Sequence, residues 1–313
     1  MIEVRNLTKR FGPVVAVDDI SFHVAADTVV GFLGANGAGK STTMRVLTTF
    51  LPPTAGEASV DGHDILTDPL GVRRVVGYLP ESPPLYLDMR VVEYLKHVAV
   101  MRDVPLGQIE RRVAEVIDRC WLGDVRYKPI RNLSKGYRQR VGLAQAMVHQ
   151  PKVLILDEPT IGLDPSQIRQ TRELIRQLGE VHTILLSTHI LTEVEQICAR
   201  VLIISEGRLV ADDTLRNLAR EAADQQVIDV MAKGPSDRMR SVLENVDGVR
   251  SVRQVGRERG ATQFELTAVS GSRVVEAAGE RLAKNNWPVF QLNSRAQRLE
   301  DIYLSITQAE RVV

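Results

Sequence analysis

At 313 residues the chain has room for roughly two domains, and a composition of 44% hydrophobic and 25% charged residues lets it bury an ordinary globular core. A formal net charge of +1 excludes a global basic field that would draw the chain to nucleic acid or anionic lipid. Two cysteines far apart in sequence, Cys120 and Cys198, exclude a CxxC zinc or redox pair and point to a reduced, cytoplasmic chain.

No stretch approaches the roughly 20 apolar residues that span a bilayer. The N-terminal "MIEVRNLTKRF" has acidic Glu3 and no long apolar run, so no secretory signal is expected. Any membrane work is therefore expected to pass through a separate partner chain.

In chain order, "IEVRNLTKRF" and "AVDDISFHV" read as strands, the second with period-two alternation at Ile20, Phe22 and Val24. An apolar run from Val29 enters a glycine-rich turn, and a helix is expected from about Lys40. Asp61-Gly62, inside turn-rich "PPTAGEASVDG", suits a tight hairpin. From about Met89 to Gln150 the pattern is helical. In "QIERRVAEVIDRC", residues Ile109, Val113, Val116, Ile117 and Cys120 fall on one face, which makes Cys120 a core residue. "VLILD" and "HTILLST" are short apolar runs suited to parallel strands covered on both faces, and "RVLIISEGRLVAD" reads as two strands joined at Glu206-Gly207. An α/β core with a helical insertion follows.

A second unit begins after about Leu215. Strand, helix, two strands, helix and strand are expected over Gln226–Met231, Ser236–Asn245, Val249–Val255, Thr262–Val269, Ser272–Asn285 and Pro288–Leu292. That βαββαβ order fits a small ferredoxin-like α+β domain. A last helix, "RLEDIYLSIT", has an apolar face of Leu299, Ile302, Tyr303 and Ile306 that needs a surface to cover it.

The stretch "GANGAGKS" fits G-x-x-x-x-G-K-[ST] over Gly34, Asn36, Gly37, Ala38, Gly39, Lys40 and Ser41, with Thr42 opening the helix that follows. Glycines let backbone N–H groups turn inward around phosphates without a Cβ in the way, and a lysine reaches the β- and γ-phosphates. Ser41 offers its hydroxyl to Mg²⁺, and the helix N-terminus adds partial positive charge. In "VLILDEP" a buried strand ends on Asp157, which can bind Mg²⁺ directly or through water. Glu158 then stands where a carboxylate can orient the lytic water and take its proton. These motifs describe a Mg-nucleotide hydrolase, and no N-K-x-D stretch selects guanine.

"NLSKGYRQRVGLAQA" narrows the class. Ser134 is a natural helix N-cap, but the order of motifs carries more. Leu133, Ser134 and Gly136, with Gln139-Arg140 following, resemble the L-S-G-G-Q signature of ABC transporter ATP-binding subunits, from which Lys135 and Tyr137 depart. The resemblance continues over about residues 1–215 in the family's order. "PTIGLDP" is similar to the loop that runs between two such subunits, with Asp164 at its family position. "STH" puts His189 where the family has a γ-phosphate-contacting histidine, and Phe11 in "LTKRFG" matches the aromatic that stacks on adenine. Glu81, in "VGYLPESPPLY", stands where the family usually has glutamine. Glutamate keeps an oxygen ligand for Mg²⁺ but loses the amide donor, which leaves open a tolerated change or a shifted metal role.

The resemblance implies a P-loop NTPase core with an antiparallel β-subdomain and a helical subdomain at about residues 85–150, followed by an accessory domain over 216–313. It implies ATP and Mg²⁺ as ligands and catalytic work shared among Glu81, Ser134, Glu158, Asp164 and His189. It also implies a head-to-tail homodimer whose Ser134 and Gly136 close the partner's phosphate loop. "LSKGYRQR", "GYLPE" and "LEDIYL" resemble the ABC-2 type exporters, including drug and gliding-motility branches. A polytopic permease at the cytoplasmic face of the cell membrane is then the expected partner, and no nucleic acid is. The rival is a soluble ABC ATPase of ribosomes or DNA, whose usual second nucleotide domain or long coiled-coil insertion this sequence lacks.

Overall fold

Short apolar runs punctuated by glycine and aspartate turns dictate most of the elements. In the computed structural model, which describes residues 1–223, 225–258, 260–269, 273–296 and 301, the chain divides into two compact units, Met1–Leu215 and Arg216–Val313.

The first unit opens with β1 (Ile2–Phe11) and β2 (Val14–Val24), followed by β3 (Val29–Leu33), α1 (Lys40–Leu47), β4 (Ala55–Val60) and β5 (His63–Asp64). Strands β2-β1-β4-β5 form an antiparallel sheet. Its last hairpin turns at Asp61 (φ 51°) and Gly62 (φ 83°), the positive pair a two-residue turn demands. Next come α2 (Pro69–Val75) and β6 (Val76–Leu79), which the sequence reading left unassigned. Pro69 at the first helical position and the Asp68 side chain, which accepts from Gly71 N, start α2.

The helical region comprises α3 (Val91–Met101), α4 (Ile109–Arg119) and α5 (Lys135–Met147). On α4 the buried face is Ile109, Val113, Val116 and Ile117, and Cys120 beyond it is fully buried. Burial pushes the thiols of both Cys120 and Cys198 up to about 12, so they act as small core residues rather than nucleophiles.

The chain returns through β7 (Val153–Asp157), α6 (Pro165–Leu178), β8 (Thr183–Thr188), α7 (Leu191–Ile197), β9 (Arg200–Ser205) and β10 (Arg208–Thr214). These strands join β3 and β6 in a six-stranded sheet of order β10-β9-β3-β8-β7-β6, parallel except for the β9–β10 hairpin. Every residue of β7 and β8 is buried, as expected for strands covered on both faces. The two sheets share one core in which Ile2, Val4 and Val24 meet Phe32, Ile155 and Leu185. Each such side chain contributes roughly 1.5–3 kcal/mol of burial.

From α8 (Leu215–Ala223) the chain enters the second unit: β11 (Gln225–Ala232), α9 (Ser236–Glu244), β12 (Val249–Glu258), β13 (Ala261–Val269), α10 (Val274–Lys284) and β14 (Val289–Ala296). The expected βαββαβ order is the one found. Among the described residues its antiparallel sheet runs β12-β13-β11-β14, the split arrangement of ferredoxin-like domains. Val274, Ala278 and Leu282 of α10 pack with Met239, Phe264 and Leu266 into a separate core. The expected apolar face of Leu299, Ile302, Tyr303 and Ile306 lies outside the described residues.

Candidate functional site

Four chemically distinctive turns leave the carboxyl ends of four adjacent parallel strands. Leu33 of β3 pairs with Thr188 of β8, Ser187 of β8 with Asp157 of β7, and Leu156 of β7 with Leu79 of β6. The segments that follow, Gly34–Lys40, Glu158–Asp164, His189–Ile190 and Pro80–Glu81, are thereby gathered on one edge. That edge is where open α/β sheets bind their ligands.

The loop after β3 is built for close backbone approach. Gly37 (φ 82°) and Gly39 (φ 110°) occupy the left-handed region, and Gly39 caps α1. A Cβ placed on Gly34 would sit 2.5 Å from the Ile204 carbonyl oxygen, and one on Gly39 would sit 2.6 Å from that of Ala16. Ala38 is buried, with its N–H bonded to Ala35 O. Lys40 is 5% exposed. Its Nζ donates to Gly34 O (2.7 Å) and Ala35 O (3.1 Å) and lies 3.3 Å from Glu158 Oε1.

Beside it, the Ser41 hydroxyl donates to Asp157 Oδ1 at 3.1 Å, and Ser187 Oγ donates to the same oxygen at 2.6 Å. Glu158 follows at φ 48°, its N–H shared between Ser187 Oγ (3.0 Å) and Ser187 O (3.2 Å). Pro159 disfavours the right-handed helical conformation in the residue before it, and the left-handed turn at Glu158 is held by that pair of bonds. Glu158 Oε2 accepts from His189 Nδ1 at 2.9 Å. The carboxylate accepts only, so Nδ1 carries the proton and Nε2 faces away from it.

A cleft of about 270 Å³ is lined by Asn36, Gly37, Gly39, Lys40, Ser41 and Thr42, and by Glu81, Glu158, Ala16 and Ile161. Glu81 thus shares the cleft with the hydroxyl and the lysine. Phe11, Gly34, Ala38, Ser134, Gly136, Asp157, Asp164 and His189 do not join this lining, and Asp157 and His189 connect to it through their bonds to Ser41 and Glu158. Phe11 is 47% exposed at the β1–β2 hairpin, with Lys9 Nζ 5.1 Å from its ring centroid. Ser134 caps α5 by accepting from Tyr137 N, and Gly136 backs onto Gln167, whose Oε1 would lie 2.5 Å from an added Cβ. Asp164 caps α6. The Gln167 N–H and the Ser166 hydroxyl hold its carboxyl below the usual range.

Sequence reasoning missed Ser187, which orients Asp157, and the apolar walls Ala16 and Ile161. A hydroxyl closing an apolar strand run was the available signal for Ser187. For Ala16 and Ile161 there was none.

The arrangement fits a Mg-nucleotide. Glycines at Gly34 and Gly39 keep the cradle open where a Cβ could not fit. Ser41 and Asp157 offer hard oxygen donors side by side, with the Glu81 carboxylate on the same cleft. Among the described residues no three His, Cys, Asp or Glu side chains gather into a metal cage.

The ABC transporter family model matches residues 17–161. Over 309 residues the chain is 31% identical to the ABC transporter ATP-binding protein YxlF of Bacillus subtilis, covering 99% of this chain and 100% of that one. It is 30% identical over 311 residues to the daunorubicin/doxorubicin resistance ATP-binding protein DrrA of Streptomyces peucetius, covering 98% and 92%. A solved ATP-binding subunit of an ABC transporter superposes with a TM-score of 0.64 at 32% identity, over 71% of this chain and 92% of that one. With similarity running the length of YxlF and a phosphate cradle, metal donors and carboxylate on one sheet edge, the chain belongs to the ATP-binding proteins of ABC transporters, and it is an ATP hydrolase.

Proposed function

We propose that this chain is the motor subunit of an exporter: two copies pair head to tail around ATP and drive a separate polytopic permease from the cytoplasmic face of the membrane. The observation that carries the reading is the single cleft shared by Lys40, Ser41, Glu158 and Glu81, with Ser134 and Gly136 outside it. A signature helix start that shares no cleft with its own phosphate loop is free to close that of a second copy. Among the described residues no helix is long and apolar enough to cross a membrane, which fits a motor whose permease is another chain. Similarity to a drug-resistance ATP-binding protein along 98% of this chain supports an exporter.

Mg²⁺ bound with ATP supplies charge neutralisation at the phosphates. Ser41 and Asp157 hold the metal, Lys40 sets a cation among the phosphate oxygens, and Phe11 stacks on the base. Glu158 takes the proton of the attacking water while the water oxygen bonds to the γ-phosphorus and the bridging oxygen leaves with ADP. His189, steadied through Nδ1, turns Nε2 to the γ-phosphate. A groove of about 720 Å³ beside α3, lined by Phe50, Leu70, Tyr86 and Met101 and by Arg73 and Arg102, suits a helix of the permease. It adjoins the loop that carries Glu81. We assign residues from 216 on to pairing the subunits or seating them on the permease.

Glu158→Gln tests the reading. The amide cannot take the proton, and it no longer competes with phosphate for Lys40, so Mg-ATP affinity should hold or rise. Turnover should fall by about 100-fold or more, and size-exclusion chromatography with light scattering should find an ATP-dependent dimer. Near-normal turnover removes Glu158 from this role.

A further inference from the structure

A fully buried carboxylate outside the cleft ties together the two segments that carry Glu158 and His189. Glu193, on α7, is 1% exposed. Its Oε1 accepts from the Thr160 hydroxyl at 2.6 Å and its Oε2 from the Thr188 hydroxyl at 2.8 Å. Thr160 lies two residues after Glu158, and Thr188 immediately precedes His189. Thr188 Oγ1 also accepts from Ile190 N at 3.0 Å, so the backbone on both sides of His189 is pinned. With the His189 Nδ1 to Glu158 Oε2 bond at 2.9 Å, the links form a closed ring: Glu158, Thr160, Glu193, Thr188, His189 and back. Arg172 Nη2, 3.4 Å from Glu193 Oε1, offsets the charge that burial would otherwise make costly.

We propose that Glu193 is a positioning residue for ATP hydrolysis: it clasps the loop after β7 to the end of β8 and so fixes the spacing of Glu158 and His189. A carboxylate suits the task because it accepts from two hydroxyls at once, whereas an amide offers one acceptor and one donor. The side chains that Glu193 bonds, Thr160, Thr188 and Arg172, lie outside the cleft lining, so it acts on turnover through Glu158 and His189. The ring meets the phosphate loop through the Lys40–Glu158 ion pair and the Gly34 N to Thr188 O bond, and neither of these uses the Thr188 hydroxyl. Opening it should therefore spoil the geometry of the chemical step while leaving the cradle that binds ATP in place.

The inference rests on the reading that Glu158 and His189 act on ATP, and the experiment separates the two. Thr188→Val keeps the side-chain shape and removes the hydroxyl that closes the ring. The full chain carrying it should lose about 10- to 100-fold in kcat, the scale of a misplacement of about 1 Å. KM for ATP and the Kd of a fluorescent ATP analogue should stay within about twofold of the parent. Thr188→Ser, which restores the hydroxyl, should restore kcat, and Glu193→Gln should fall between. If Thr188→Val does not fold, Thr160→Val opens the other arm and is read the same way. The proposal is overturned if kcat is unchanged well below the thermal midpoint, if nucleotide Kd weakens in step with kcat, or if Thr188→Ser fails to rescue. Glu158→Gln measured alongside assigns the fault. An active Glu158→Gln overturns the functional reading and the clasp together, whereas an inactive one beside a normal Thr188→Val overturns the clasp alone.

Discussion

Ser187→Ala removes the nearer of the two hydroxyls that hold the metal-side carboxylate and leaves Ser41 in place. Ser187 is 0% exposed, and its Oγ both donates to Asp157 Oδ1 at 2.6 Å and accepts from Glu158 N at 3.0 Å. Alanine removes a hydrogen bond to a charged group, a loss of about 1.5–3 kcal/mol. The lower half of that range applies. Glu158 N retains the Ser187 carbonyl at 3.2 Å, and Asp157 Oδ1 retains the Ser41 hydroxyl at 3.1 Å, so no buried group is orphaned. For a unit of this size, about 2 kcal/mol lowers the thermal midpoint by roughly 4–8 °C. The functional consequence is separate: Asp157 loses the donor that fixes its rotamer. Loss of such an outer partner weakens metal affinity by about 10- to 100-fold. The assay is a Mg²⁺ titration of ATPase activity at saturating ATP, with binding of metal-free ATP in EDTA as the control. Half-maximal activity should need about tenfold more Mg²⁺, with metal-free binding unchanged. A lowered midpoint with an unmoved Mg²⁺ requirement would refute the orienting role and leave Ser187 purely structural.

Three further outcomes follow from named contacts. Mixing Ser134→Arg protein with Lys40→Ala protein leaves one intact composite site per mixed dimer, so activity absent from either homodimer should reappear. Its absence in proven mixed dimers with independent sites means the site is complete within one chain. Glu81→Gln should raise the Mg²⁺ needed for half-maximal ATPase with comparable turnover at saturation, because a carboxylate holds the metal more tightly than an amide; an unchanged requirement leaves Glu81 without a metal role. His149 donates Nε2–H to Val76 O with Nδ1 buried and unpartnered, and burial, reinforced by Arg102, holds its pKa down to about 4 against an ordinary 6.5. The unfolded chain then binds the extra proton first, so stability should fall by up to about 3 kcal/mol as pH drops from about 6.5 to 4. His149→Gln, followed by urea midpoints, should flatten that slope.

Periodicity made the strands and the two-unit order of elements readable before any coordinates, because a buried parallel strand such as Val153–Asp157 must be apolar throughout and a βαββαβ unit must alternate. The short pair α2 and β6 escaped assignment because seven and four residues carry too little period to separate helix from strand. The strand β6 nonetheless brings Glu81 to the cleft. What the residues could not reveal is adjacency created by strand order. Chain order runs β3, β6, β7, β8, but spatial order runs β3, β8, β7, β6. Ser187 therefore meets Asp157 across 30 positions and Thr160 meets Glu193 across 33.

The same reversal explains why the site needs its buried polar support. Placing β8 between β3 and β7 puts the turn carrying His189 between the phosphate loop and the acidic pair, so three turns from separate crossovers must be aligned. The regular ladders end at Thr188 and Asp157, with one further backbone bond each from Gly34 N to Thr188 O and from Glu158 N to Ser187 O. Side chains add the rest: the Ser187 hydroxyl holds the turn at Glu158, and Glu193 joins Thr160 to Thr188. A left-handed glutamate before proline and a carboxylate buried to 1% are each unfavourable on local grounds. Both are stable here because the bonds that offset them come from other elements: β8, the turn after β7 and, for Glu193, Arg172 on α6. Local sequence rules fail at these two residues for one physical reason: their conformations are set by partners that only the sheet order supplies.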